Sequence, residues 1–495
     1  MAAIHSCSSS SSSLILRFLI SASLSLFFLF SSFNNGYAFE RRQTTQKHQN
    51  IQHTTHHTIQ ITSLLPSSVC SHSPKDHSKG ASMKVVDRRG PCFQTSQDKA
   101  KVPTDLTQIL SHDQSRVNSI HTRLGFNSGK NSLEDSEANL PAKSGSSLGS
   151  GNYVVTIGLG TPKRDLSLIF DTGSDLTWTQ CQPCVRVCYK QQEPILDPSK
   201  STTYSNISCN SAVCSQLSSA TGNSPSCSAS ACVYGIQYGD QSFSVGFFGK
   251  EKLTLTPTDV FDGFLFGCGQ NNQGLFGGTA GLLGLGRDKL SVVSQTAQKY
   301  GKYFSYCLPS SSSSTGHLTF GKGGNPSALK FTTLVLNPQN PSFYFIDIVA
   351  IAVGGKTLPI NKSVFSTAGT IIDSGTVITR LPPDAYTPLK SAFRQQMKGY
   401  PMAQPLSILD TCYDFSNYNT VNIPTISFIF SGNARLDIDQ SGILYASSTS
   451  QVCLAFAGNS DAGDVAIFGN VQQQTLEVVY DVAGGKLGFG HGGCA

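Results

Sequence analysis

At 495 residues, 39% of them hydrophobic and only 13% charged, the chain is long enough to bury a large core and to hold more than one domain. Its formal charge of +6 is unevenly spread: residues 39–141 carry +4, from 13 Lys/Arg against 9 Asp/Glu, whereas residues 142–495 carry +1, from 22 against 21. That balance argues against a polyanion-binding body, and the N-terminal cations are scattered among acids and histidines without a basic stripe, so nucleic acid is not an expected partner.

In chain order, a Ser run leads into an apolar stretch from Leu14 to Phe30 interrupted by Arg17, and Gly36-Tyr37-Ala38 would suit a signal peptidase. Residues 1–38 are therefore expected to be a signal peptide that sends the protein into the secretory route. The Ser-rich, acid-poor start is also the composition of a chloroplast transit peptide, which stands as the alternative. The apolar stretch is short and Ser-broken, and Gly490 to Ala495 lacks a lipid-anchor tail, so no membrane anchor is expected.

Residues 39–141 are polar and hold eight of the eleven histidines, as a pro-segment would. Ile109, Leu110, Val117, Ile120 and Leu124 predict one helix there. The Ser/Gly-rich stretch from Leu140 to Gly151 is the expected linker and cleavage region. Histidines that gain charge on acidification are expected to weaken the hold of this segment on an acidic cleft.

Beyond residue 150, short runs such as Tyr153–Ile157 and Leu476–Tyr480 alternate with Gly/Pro/Asn turns, an all-β pattern. Within it, Ile169-Phe170-Asp171-Thr172-Gly173-Ser174 returns as Ile371-Ile372-Asp373-Ser374-Gly375-Thr376. Each copy is an apolar strand delivering a carboxylate, followed by a glycine that lets the backbone turn sharply. Two such loops face to face would hold two carboxylates that cannot both ionise at mild pH, so the pair shares a proton. One member can then act as base on a water while the other acts as acid. Ala280–Gly286 follows the first motif and Ala466–Asn470 the second, so the chain reads as two versions of one unit. Gly281 to Lys289 looks superficially like a phosphate loop, but Arg287 stands at the required Lys position, and a buried strand supporting Asp171 is the better reading.

The two Asp motifs, Tyr238-Gly239-Asp240 and the apolar-Gly segments resemble the pepsin-like aspartic proteases, in particular the plant nepenthesin-type branch. Around Asp171, Tyr238 and Asp464 the likeness is to members described as similar to a chloroplast-nucleoid DNA-binding protease. The resemblance implies an all-β, bilobal fold with a central substrate cleft, an N-terminal lobe at 152–325 carrying a Cys-rich insertion, and a C-terminal lobe at 326–495. It implies an acid-active endopeptidase made as a zymogen, acting on polypeptides as a monomer without a cofactor or metal. Asp171 and Asp373 would be catalytic, and Thr172, Gly173, Ser174, Ser374, Gly375 and Thr376 would orient them. Tyr238 and Gly239 would form a flap closing over substrate, with the Tyr238 hydroxyl bonded to Trp178, the only Trp. Gln241 departs from the family, which usually has Gly there. A catalytically silent pepsin-fold inhibitor or binding protein, and a plastid DNA-binding protease, are the rival readings.

Fifteen cysteines occur, with Cys7, Cys70 and Cys92 ahead of residue 142, leaving twelve for six disulfides. Cys181-x2-Cys184-x3-Cys188 has no matching Cys/His pair for zinc. Spacing does not give connectivity; the resemblance implies Cys181–Cys184, Cys188–Cys268, Cys209–Cys232, Cys214–Cys227, Cys307–Cys494 and Cys412–Cys453. Asn206 and Asn361 head glycosylation sequons, in keeping with a secreted surface.

Overall fold

Short β-branched and aromatic runs punctuated by Gly, Pro and Asn fold as strands through most of the body of the chain. The computed structural model describes residues 55–65, 67–71, 81–93, 105–126, 153–238, 241–274, 276–322 and 329–494, all within the compact unit His53–Ala495. The expected signal peptide and the Leu140–Gly151 linker lie outside the described residues. Among the described residues, no helix is long and apolar enough to cross a membrane.

The first described elements are strand β1 (His56–Gln60), strand β2 (Ala81–Asp87) and helix α1 (Leu106–Phe126), followed by β3 (Tyr153–Leu159) and β4 (Arg164–Asp171). β3 is buried at every position but Thr156, as expected of a strand covered on both faces. Among the described residues a 15-stranded sheet dominates the N-terminal lobe, and four smaller sheets, one of them the pair of β1 with Thr420–Pro424, lie in the C-terminal lobe.

The internal repeat is explicit in strand order. In the first lobe β4 pairs in parallel with Gly281–Gly284, which runs antiparallel to Trp178–Gln180, which is parallel to Asp259–Gln273. In the second, Thr370–Ile372 pairs in parallel with Ala466–Phe468, which is antiparallel to Thr379–Leu381, which is parallel to Phe456–Gly458. The same order and the same senses recur, and each Asp motif leaves the corresponding strand.

Two boundaries differ from the linear expectation. The 15-stranded sheet also takes in Lys330–Thr333, Glu477–Asp481 and Lys486–Gly490, so the C-terminal strands belong to the sheet of the other lobe. The segment expected to be a separable leader is woven in as well. β1 pairs with Thr420–Pro424, and β2 lies inside the large sheet between Thr315–Phe320 and β3. A Cys70–Cys92 disulfide closes the segment around β2, and Ser71 N–H donates to the Ser313 carbonyl at 2.7 Å. The Ser-rich loop at 310–314 thus serves as a docking edge.

Four of the expected disulfide pairings are corrected. Trp178–Gln180 runs alongside Gly267–Gly269, which brings Cys181 against Cys268, with Cα atoms 5.3 Å apart. Cys184 and Cys188 are then left to join within the following loop. In the insertion, Cys214 and Cys232 are buried and join each other, while the more exposed Cys209 and Cys227 form the second bridge. Depth in the fold, which spacing does not encode, selects the partners. Cys307 is joined to Cys494 and Cys412 to Cys453, as the resemblance implied.

Candidate active site

Parallel pairing aims both Asp motifs at one place. Asp171 ends β4, its carbonyl accepting the Leu285 N–H at 2.9 Å, and Asp373 N–H donates to the Phe468 carbonyl at 3.1 Å. The loops lock reciprocally: Thr172 N–H donates to Ser374 Oγ at 3.1 Å, and Ser374 N–H to Thr172 Oγ1 at 2.9 Å. Gly173 and Gly375 N–H each bond the Oδ1 of their own Asp, at 2.9 and 3.0 Å. A Cβ on Gly173 would stand 2.7 Å from Asp373 Oδ1, and one on Gly375 2.5 Å from Asp171 Oδ1. Only glycine lets the carboxylates face each other this closely. They are 1% and 0% exposed.

The outer oxygens differ. Thr376 Oγ1 donates to Asp373 Oδ2 at 2.6 Å. The matching Ser174 Oγ and Asp171 Oδ2 are both buried and make no hydrogen bond of normal geometry among the described residues, so Ser174 helps lower the Asp171 pKa less than Arg116 and the Gly173 N–H do.

Helix α1 occupies the cleft between the motifs. Asp105 Oδ1 accepts the Thr107 N–H at 2.9 Å and so caps its first turn. Its apolar stripe meets the C-terminal lobe in two patches: Ile109 and Leu110 join Val377, Ile378 and Leu409, while Val117, Ile120 and Leu124 join Phe343, Ile371 and Ile467. Between the patches Arg116 reaches the dyad. Its Nη2 donates to Asp171 Oδ1 at 2.7 Å and to Asp373 Oδ2 at 2.9 Å, and its Nε to Asp373 Oδ2 at 3.1 Å. Arg123 Nη2 donates to the Gly173 carbonyl at 3.1 Å, and its guanidinium lies 4.2 Å from the Phe343 ring centre. One turn before Arg116, Asp113 accepts the Val377 and Ile378 N–H groups at 2.6 and 3.1 Å and pairs with Arg380 at 3.0 Å.

Arg116 and Asp113 escaped the sequence reading, although a signal was present. Both lie on the helix face marked by Ile109, Val117, Ile120 and Leu124. A charge on a buried stripe needs a partner on the surface it covers.

The electrostatics follow from burial and this one cation. Burial alone would push both Asp carboxyls up. Arg116, then the Gly173 N–H, overcome it at Asp171 and hold that carboxyl below its usual value. At Asp373 burial and the facing Asp171 charge prevail over Arg116, and its pKa is raised. Burial would depress the Arg116 guanidinium, but Asp171 and Asp373 outweigh it and raise its pKa. The buried Asp175 carboxyl, which accepts the Asp288 N–H at 2.9 Å, is pushed up by burial to about 7.

Trp178 Nε1 donates to the Tyr238 hydroxyl at 2.8 Å, and Phe276 packs edge-on to both rings. The hairpin closes with Gln241 N–H on the Tyr238 carbonyl and Tyr238 N–H on that of Ser242. Gln241 has φ 65°, a left-handed conformation that favours glycine, so its side chain stiffens a strained corner. Gly239 and Asp240 lie outside the described residues. Asn206 and Asn361 are exposed.

A two-lobed pepsin-like fold whose repeated loops bring two aspartates together is the architecture of an aspartic protease. The chain belongs to the plant aspartyl protease family of nepenthesin type. Residues 153–322 match the family described as Xylanase inhibitor N-terminal, and residues 343–491 the one described as Xylanase inhibitor C-terminal. An aspartyl protease family protein of Arabidopsis thaliana is 62% identical over 445 residues, covering 89% of this chain and 94% of its own. Aspartic proteinase nepenthesin-2 of Nepenthes gracilis is 39% identical, covering 69% and 77%. Among solved structures, edgp superposes with a TM-score of 0.56 at 22% identity, over 68% of this chain and 91% of that one. Basic 7S globulin from soybean gives 0.54 at 21% identity, over 68% and 90%.

Proposed function

We propose that the chain is a secreted, acid-active aspartic endopeptidase made as a zymogen, with α1 holding the dyad shut. The observation that carries this is Arg116, one cation bonded to both dyad carboxylates from a helix that fills the cleft. With α1 released, Asp171 and Asp373 would share a proton; one takes a proton from water as it attacks the peptide carbonyl, and the other donates to the carbonyl oxygen. The Tyr238 hairpin would exclude bulk water. Seven disulfides support an oxidising compartment.

Acidification is the natural trigger. Docked Arg116 lowers the Asp171 pKa, so the docked helix binds fewer protons there than the released one. This contribution to docking is complete above the carboxyl's pKa in the released state and fades as pH falls through the lowered docked value. His121 is docked against the body, its Nε2 2.9 Å from the Val465 carbonyl and its Nδ1 3.5 Å from Asp464.

The family descriptions name a xylanase inhibitor, which keeps a silent binding protein as the second reading. Full-length chain brought to pH 3–4 separates the two. The endopeptidase reading expects self-shortening and pepstatin-sensitive peptide cleavage, both abolished by Asp171→Asn or Asp373→Asn with little change in thermal unfolding. Activity within about tenfold of wild type in either variant would refute the dyad role.

A further inference from the structure

We propose that Arg380, with the N–H groups of Val377 and Ile378, is a carboxylate-binding subsite of the released cleft. It would select peptide substrates bearing an acidic side chain close to the scissile bond. This rests on the zymogen reading above and adds a substrate preference to it.

Arg380 is 1% exposed, and two residues of α1 lie against its guanidinium. Its Nη2 pairs with Asp113 at 3.0 Å and its Nε and Nη2 reach Gln114 Oε1 at 3.4 and 3.3 Å, both residues on the helix. From the body of the protein its Nη1 donates to the Ile378 carbonyl at 2.7 Å. Two backbone donors converge on the same Asp113 carboxylate, Val377 N–H on one oxygen and Ile378 N–H on the other. This is a complete oxyanion cradle: a guanidinium and two amides around one carboxylate that is itself 0% exposed. When α1 leaves, the cradle stays with the enzyme and its carboxylate goes. Three donors are then vacant on the wall of the cleft, beside the apolar patch of Val377, Ile378 and Leu409 that Ile109 and Leu110 had covered.

Position follows from the helix. Asp113 and Arg116 are three residues apart, about 4.5 Å along the axis, and Arg116 marks the dyad. An extended peptide advances about 3.3 Å per residue, so the acidic side chain falls within about three positions of the cleaved bond. An aliphatic neighbour would fill the adjoining patch.

The test uses acid-processed enzyme at pH 5, where glutamate in a flexible peptide is mostly ionised. Matched peptides carrying Glu or Gln are scanned through three positions on either side of the scissile bond. At one position kcat/KM for Glu should exceed that for Gln by tenfold or more. Arg380→Met should bring that ratio below about twofold, and Arg380→Lys should leave it intermediate. A purely structural Arg380 would lower both rates and leave the ratio alone, which would overturn the proposal, as would a wild-type profile without acidic preference. If the wild type cleaves nothing, the endopeptidase reading fails and the subsite is judged by binding. Full-length chain carrying Asp113→Asn, Arg116→Ala and Asp171→Asn is titrated with the same peptides. The Glu peptide should bind at least fivefold tighter, an advantage lost on adding Arg380→Met; equal Kd values would overturn the subsite independently.

Discussion

The two aspartate loops are copies in backbone and opposites in electrostatics. Both follow a strand of the same four-strand pattern, both use Gly N–H to hold their own Oδ1, and each gives a hydroxyl to the other's backbone. Yet Asp171 is lowered and Asp373 raised. The difference comes from the surroundings of the motif. Arg116, then the Gly173 N–H, outweigh burial at Asp171, whereas at Asp373 burial and the facing Asp171 charge prevail over Arg116 and the Thr376 hydroxyl. A duplicated fold sets where the carboxylates sit; side chains that were never duplicated set which one keeps the proton.

The comparison breaks most sharply when the shared cation is removed. Arg116→Ala should free the dyad from its docked partner, raising the pH midpoint of self-processing by at least one unit. Cleavage near pH 6 should rise on the order of a hundredfold or more, since removing one partner of a buried pair costs about 3–5 kcal/mol. The midpoint is read by gel densitometry of acid-pulsed samples, and an unmoved value would show that the apolar patches alone hold α1.

A smaller contrast separates the outer hydroxyls. Thr376→Ala removes a 2.6 Å bond to a carboxylate and should lower kcat about tenfold or more, whereas Ser174→Ala should cost less. Steady-state kinetics on one peptide, with equal losses in both variants, would show the loops to be interchangeable after all.

The smallest effect concerns stability. With its folded pKa raised to about 7, Asp175 stabilises the fold below the ordinary carboxyl value. That stabilisation is lost as pH rises toward 7, at up to about 1.4 kcal/mol per pH unit. Asp175→Asn still offers an oxygen to the Asp288 N–H but has nothing to ionise. The Tm of the variant relative to wild type should therefore climb between pH 4 and pH 7.5, and a constant offset would place the titration elsewhere.

Much of this arrangement was legible in one dimension. The Asp doublet, the apolar-Gly echoes, the Trp178–Tyr238 contact and the helix through Ile109 and Leu124 rest on strand and helix periodicity or on a family motif, and each survives folding as local structure. What could not be read depends on which distant surfaces meet. Cys181 finds Cys268 because of the register of two parallel strands, and Arg116 finds the dyad because α1 docks by its apolar stripe. β1 and β2 come from a polar, His-rich stretch whose strand character is supplied by the ladders they join.

The two anchored parts of the N-terminal segment answer to different forces. α1 is held in the cleft by two apolar patches and by carboxylate pairs, and protons can neutralise the pairs. β2 is held between Thr315–Phe320 and β3 by backbone hydrogen bonds, which protons leave untouched. Cutting the chain between them and acidifying would lift the helix away and leave the strand sewn in, because pulling it out would bare a six-residue edge on Thr315–Phe320 to any passing strand. On the zymogen reading, one leader would contain a gate worked by pH and a seam that acid alone does not open.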